Sequence, residues 1–200
     1  VDFSIVRESN SSNSISESNI FNMVPKYEIE LEILNDKVSS YSSDEINKFI
    51  KTISKYVLCG LQNTNFPISY PDITSIGKNY LELIGSRNED IKPTDFIGPS
   101  SVTLQISNIT ENNPNSNIIN IKKNFTVTDK ADGDRKLLYI NEIGKIYLIN
   151  TQANIEFTGA KTENKELFNS LLDGEHIIHN KLGNYINLYA AFDIYFINKK

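Results

Sequence analysis

Strict alternation and helical spacing divide this chain into short, legible pieces. Residues 1–7 place Phe3, Ile5 and Arg7 on one side and Asp2, Ser4 and Val6 on the other, which predicts a strand. Residues 27–33 read Tyr-Glu-Ile-Glu-Leu-Glu-Ile, so a strand here projects Glu28, Glu30 and Glu32 from a single face. Between them, residues 9–19 are almost entirely Ser, Asn and Glu, too polar to pack, and predict a flexible surface connection. The period then changes. Ile46, Phe49, Ile50, Ile53 and Val57 recur on one helical face behind a Ser42/Glu45 capping box, predicting a helix over 42–62 with Cys59 in the core near its end. Pro67 and Pro71 interrupt the chain before a second amphipathic segment, 72–86, carried by Ile73, Ile76, Tyr80, Leu81 and Ile84. At 88–100, turn formers and charges replace the apolar period, and Pro93, Gly98 and Pro99 mark a domain boundary.

Short strands fill the second half. The pattern predicts them at 102–106, 118–122, 124–128, 137–140, 145–150, 171–179 and 185–197, with a polar loop at 111–117 and a short helix at 163–170. Residues 141–144 join two of these strands as a hairpin with Gly144 at the turn. No segment repeats, and the whole reads as a strand-rich α+β chain.

Composition adds limits rather than identity. With 39% apolar residues in 200, the chain can bury a core. No apolar run approaches the ~18 residues that span a bilayer, so the expected partners do not include a membrane. The single cysteine excludes an internal disulfide and fits a reducing, intracellular setting. The chain holds 26 Asn and 29 Ile, the bias that AT-rich coding produces, as in large cytoplasmic DNA viruses and some protists. A net charge of −5 argues against a general nucleic-acid coat. Residues 1–115 carry 9 basic and 15 acidic side chains and residues 116–200 carry 11 and 10, so the second half suits polyanionic ligands better.

The candidate chemistry lies in that half, in Lys130-Ala131-Asp132-Gly133-Asp134-Arg135. A lysine followed by Asp-Gly between two strands can present its amine as a nucleophile, and Gly133 leaves the backbone free to approach a phosphate. An ordinary lysine titrates near ~10.4, so the site must favour the neutral amine through desolvation, nearby cations or a metal. Two later segments complete a constellation: Leu172-Asp173-Gly174-Glu175 and Tyr189-Ala190-Ala191-Phe192-Asp193-Ile194. His176 and His179 invite a metal reading, but positions three apart on a strand face opposite sides.

In order and spacing, these three segments resemble the covalent nucleotidyltransferase superfamily, the mRNA capping guanylyltransferases and ATP-dependent polynucleotide ligases. The resemblance covers roughly residues 125–200. It implies Lys130 as the nucleophile that takes up a nucleotide as a lysyl-phosphoramidate. It also implies that Arg135 and Glu175 contact the ribose, that Asp132 and Gly133 form the turn aiming the lysine, and that Asp173 helps hold a turn. Phe192, with Tyr189 as the alternative, would stack on the purine. Upstream, the Glu28/Glu30/Glu32 strand reads from the residues alone either as a solvated edge or as a site for Mg²⁺ or Mn²⁺. It resembles the metal-binding strand of triphosphate tunnel RNA triphosphatases, with 2–6 similar to the strand before it.

Together the resemblances imply an α+β chain in which 1–90 form the end of a triphosphate-tunnel antiparallel β domain. Both helices would pack outside the tunnel sheet. Residues 91–200 would start an ATP-grasp-like nucleotidyltransferase domain of antiparallel strands. The expected protein is a bifunctional capping enzyme of large-DNA-virus type, acting in host cytoplasm or virion. Its expected partners are GTP, the 5′-triphosphate or diphosphate RNA end, and a methyltransferase domain or subunit. The family's later motifs and OB-fold would follow Lys200, so these 200 residues alone are expected to be inactive. The alternatives are an ATP-dependent ligase using lysyl-AMP and a non-catalytic module retaining the fold.

Overall fold

Alternation becomes structure only where a second strand supplies the ladder. The computed structural model describes residues 1–9, 12–34, 38, 40–110 and 117–200, and these separate into two units, Val1–Ser54 and Lys55–Lys200. The expected polar loop at 111–117 lies almost wholly outside the described residues, as do Asn10 and Ser11 of the expected surface connection.

In the first unit, β1 (Asp2–Val6) pairs antiparallel with β2 (Lys26–Glu30). Asp2 lies opposite Glu30 and Ser4 opposite Glu28, so these four share a face and Phe3, Ile5, Tyr27 and Ile29 share the other. Glu32 is not on the strand. The ladder runs from Val6/Lys26 to Asp2/Glu30. The expected connection also contains a turn of helix, α1 (Ile15–Ser18), because Ser14 Oγ accepts the Glu17 N–H at 3.3 Å. Helix α2 (Ser43–Gln62), whose last turns belong to the second unit, starts as its capping box predicts: Ser42 donates its N–H to Glu45 Oε2 at 2.8 Å, and Glu45 returns one to Ser42 Oγ at 3.3 Å. Cys59 near its end is half-buried rather than core.

The second unit is built on a five-stranded antiparallel sheet in the order β5-β4-β3-β6-β7. The strands are β3 (Asp134–Ile140), β4 (Lys145–Asn150), β5 (Ile155–Lys161), β6 (Ser170–His179) and β7 (Tyr185–Phe196). Gly144 makes the β3–β4 turn at φ +80°, as expected. The strand β5 carries no clean sequence signal, because Gly159 at φ +79° breaks its alternation where the β4–β5 register shifts. The expected helix at 163–170 is a single 3-10 turn, Lys165–Leu167.

Helix α3 (Tyr70–Leu83) begins at Ser69, whose hydroxyl accepts the Asp72 N–H at 3.3 Å, and ends in the core. Its Ile76, Tyr80 and Leu81 bury against Leu137, Tyr139, Tyr147, Ile149 and Leu171 of the sheet. This corrects the expectation that the second helix covers the tunnel sheet: the apolar face it needs belongs to the five-stranded one. Tyr80 and Tyr139 meet edge to face at 6.1 Å. The Tyr80 hydroxyl donates to the Asp95 carbonyl at 2.6 Å, tying the helix to the segment before the motifs.

Asp95, 7% exposed, accepts from the Lys92 N–H, the Ser86 hydroxyl and the Asn88 amide, at 2.8–3.0 Å. Burial alone would raise its pKa, but these donors together outweigh it and the carboxyl titrates below its ordinary value. Asp95→Ala is expected to cost about 1–3 kcal/mol. A lowered folded pKa stabilises fully above the unfolded value, and that stability is lost as pH falls through the folded one. The deficit of the alanine variant, read by denaturant melts across pH, should therefore hold at neutral pH and shrink below about pH 4.

Three expected strands, at 102–106, 118–122 and 124–128, are not strands. None of them joins a sheet: Ile106–Asn108 is a 3-10 turn, and Ile121 donates its N–H to the Asn108 carbonyl at 3.0 Å. Val102 and Val127 are almost fully exposed. No helix among the described residues is long and apolar enough to cross a membrane.

Candidate functional site

The register of β3 against β6 decides which motif residues meet. Arg135 lies opposite Glu175, Leu137 opposite Asp173 and Tyr139 opposite Leu171, so all six project from one face. The inner part of that face is the core against α3, and its outer end carries the charged residues. Asp173 is fully buried. It accepts Arg135 Nε–H at 3.1 Å through Oδ1 and an Nη2–H at 2.5 Å through Oδ2, and the Tyr195 hydroxyl donates to Oδ2 at 2.7 Å. Arg135 Nη1 donates to the Pro99 carbonyl at 2.6 Å. The guanidinium carbon sits 5.5 Å from the ring centre of Phe96 and 5.8 Å from that of Phe192.

The electrostatics follow. Its bonds to Asp173 hold Arg135 protonated more firmly than usual, although burial opposes this. Burial, and then the bond to Asp173, push the Tyr195 phenol above its ordinary range. Asp173 stands mid-strand and holds Arg135, which corrects the expectation that it braces a turn. Glu175 is half-buried, and its carboxylate has no hydrogen-bond or ion-pair partner among the described residues. A fixed cation and an open acceptor thus stand side by side on one face, with the half-exposed Phe192 ring against the cation.

Tyr189 does not join them. It pairs with His176, and its hydroxyl donates toward the Lys136 and Leu172 carbonyls at 2.8 and 3.1 Å, on the opposite face. That face holds a separate cleft of about 730 Å³, lined by Asp134, Lys136, Glu156, His176 and Tyr189 among others and by none of Lys130, Arg135, Glu175 or Phe192. His176 and His179 have different neighbours, Asn187 at 2.8 Å and the Tyr185 ring at 5.8 Å.

Lys130 and Asp132 lie on the irregular segment just before β3. Their side chains are 88% and 98% exposed, with Nζ 3.9 Å from the carboxylate. The environment expected to desolvate Lys130 is therefore not supplied by these residues. The strand itself also requires Gly133: a Cβ there would stand 2.5 Å from the His176 carbonyl oxygen, so its absence lets the strand close on β6. Four residues separate Lys130 from Arg135, so their Cα atoms lie within about 18 Å of each other.

Glu28 and Glu30 stay on one exposed face of β2, and Glu32 lies beyond it. Their carboxylates suit hard cations, but among the described residues no three His, Cys, Asp or Glu side chains converge on a point that could hold a metal. The metal reading therefore does not fit a formed site in these residues.

Sequence reasoning missed Asp173 as the partner of Arg135, together with Tyr195, Phe96 and the Pro99 carbonyl. Only the order of the charged motif residues along the chain was available, and pairing across 38 positions leaves no local signal.

The residues of 89–200 match the family described as mRNA capping enzyme, catalytic domain. A probable mRNA-capping enzyme of Acanthamoeba polyphaga mimivirus is 28% identical over 171 residues, which cover 85% of this chain. They cover 12% of the viral protein, so the chain spans a small part of the length of that relative. Since the matched stretch includes the whole five-stranded sheet and all three motifs, and makes up more than half of the sequence, the chain belongs to the mRNA capping enzyme family.

Proposed function

We propose that this chain carries the nucleotide-accepting part of an mRNA guanylyltransferase, with Lys130 as the nucleophile. The observation that carries the reading is the convergence of Arg135, Glu175 and Phe192 on one sheet face, directly after the Lys130 segment. In the proposed step the neutral Nζ attacks the α-phosphorus of GTP. An N–P bond forms, the bond from the α-phosphorus to the bridging oxygen breaks, and pyrophosphate leaves. A terminal phosphate oxygen of diphosphate-ended RNA then displaces the lysine, giving the cap and restoring the amine. Arg135 and Glu175 would donate to and accept from the ribose hydroxyls, and Phe192 would cover the base. Mg²⁺ or Mn²⁺ belongs to the proposal as a neutraliser of phosphate charge. Incubating the full-length protein with α-labelled GTP or ATP tests it: a covalent adduct from GTP is expected, and labelling by ATP alone would make the ligase reading the better one.

A linked RNA 5′-triphosphatase in the full-length protein is the second part of the proposal, supported by the shared face of Asp2, Glu28 and Glu30. The expected result is that Glu30→Ala abolishes γ-phosphate release from 5′-triphosphate RNA and leaves the GMP adduct intact. Undiminished phosphate release would return this strand to a solvated edge. The substrate RNA end, a methyltransferase partner and a setting in host cytoplasm or virion complete the proposal.

A further inference from the structure

Arg135 is held by more groups than a ribose contact needs. Of its five N–H donors, one on each nitrogen is engaged within the protein, Nε and Nη2 by Asp173 and Nη1 by the Pro99 carbonyl, which leaves two. Rotation about the long side chain is opposed on several sides. The Asp173 fork fixes the guanidinium plane, and the rings of Phe96 and Phe192 lie within 6 Å of its carbon. Asp173 is itself fixed by the Tyr195 hydroxyl.

The segment that brings Phe96 and Pro99 to this place is also anchored. Asp95 caps its 3-10 turn (Pro93–Asp95), and the Asp95 carbonyl accepts from Tyr80. It comes close because residue 98 is glycine: a Cβ there would stand 2.5 Å from Arg135 Nη2 and 2.6 Å from the Phe96 ring. No side chain fits without moving one of them.

We propose that Tyr195 and the segment bearing Phe96, Gly98 and Pro99 are positioning elements for Arg135. Acting through Asp173 and the Pro99 carbonyl, they hold the guanidinium so that its two remaining N–H groups are presented to the sugar of a bound nucleoside triphosphate. The proposal rests on the guanylyltransferase reading for the identity of the ligand, but the clamp itself can be tested without it.

Two measurements on the full-length protein separate the two. The first is the rate of Arg135 modification by phenylglyoxal, followed by peptide mass spectrometry with Arg7 and Arg87 as internal references. Tyr195→Phe and Gly98→Ala are expected to speed modification of Arg135 severalfold and leave the references unchanged. The second is covalent labelling by α-labelled GTP against its 2′-deoxy and 3′-deoxy analogues. The GTP concentration for half-maximal labelling should rise by about tenfold with a maximal rate altered less than about twofold, and the preference for GTP over a deoxy analogue should fall by a similar factor.

A merely structural role would reduce the labelled fraction equally for every nucleotide, with half-saturation unchanged, and that result overturns the proposal. Unchanged Arg135 reactivity in both variants overturns it as well, whatever GTP does. Faster Arg135 modification in a protein that GTP never labels would support the clamp and sink the guanylyltransferase reading instead.

Discussion

Lys130→Ala in the full-length protein is expected to eliminate the covalent GMP adduct entirely, because in the proposed step its Nζ alone makes the bond to phosphorus. Lys130→Arg should be equally inactive: a guanidinium stays protonated at neutral pH and has no free electron pair to attack phosphorus. Both variants should fold normally. The wild-type side chain is 88% exposed and its contact with Asp132, at 3.9 Å between two solvated groups, contributes little to stability. The adduct in the wild type should be labile in acid and stable in alkali, as a P–N bond is. Labelling of either variant by α-labelled GTP would move the nucleophile elsewhere. Glu175→Ala and Phe192→Ala should weaken labelling without moving it, since in the proposed reaction these residues meet the nucleotide rather than react with it.

Arg135→Ala is expected to be the most destabilising change at the site, for an electrostatic reason independent of catalysis. Asp173 has no exposed surface, and losing the guanidinium leaves a buried carboxylate with the Tyr195 hydroxyl as its remaining side-chain partner. Breaking such a pair from this side costs about 3–5 kcal/mol. Asp173→Ala should cost less, about 1–3 kcal/mol, because Arg135 is 27% exposed and can turn toward water. Amide hydrogen exchange along β3 and β6 distinguishes the two, with greater loss of protection expected in Arg135→Ala. The reverse order would mean that Asp173 is solvated when its partner is removed and that the pair does little to hold the strands.

The capping box of α2 and the Gly144 hairpin were legible in the sequence because each depends on neighbours within a few positions. Ser42 finds Glu45 one turn away, and Gly144 closes the turn between two neighbouring apolar runs. The motif residues were legible as chemistry for the same reason: Lys130 through Arg135 is a continuous text. Their grouping was not. Which of Phe192 and Tyr189 accompanies Arg135 depends on the β6–β7 pairing: Tyr189 falls opposite His176 and is bonded behind the sheet, whereas Phe192, three positions on, brings its ring to 5.8 Å from the Arg135 guanidinium.

Long-range partners account for the other differences. Strand-like alternation at 102–106 and 118–128 could not become strand without a neighbouring ladder, and among the described residues none is offered. Amphipathic spacing specified α3 but not the surface it would cover, since any apolar sheet face satisfies a stripe of Ile76, Tyr80 and Leu81. Sequence by itself therefore determined local elements such as the α2 capping box and the residue types available for the proposed nucleotidyl transfer. Tertiary structure decided that Asp173 would be buried beneath Arg135, because only strand register brings a carboxylate 38 positions away within hydrogen-bonding reach of a guanidinium.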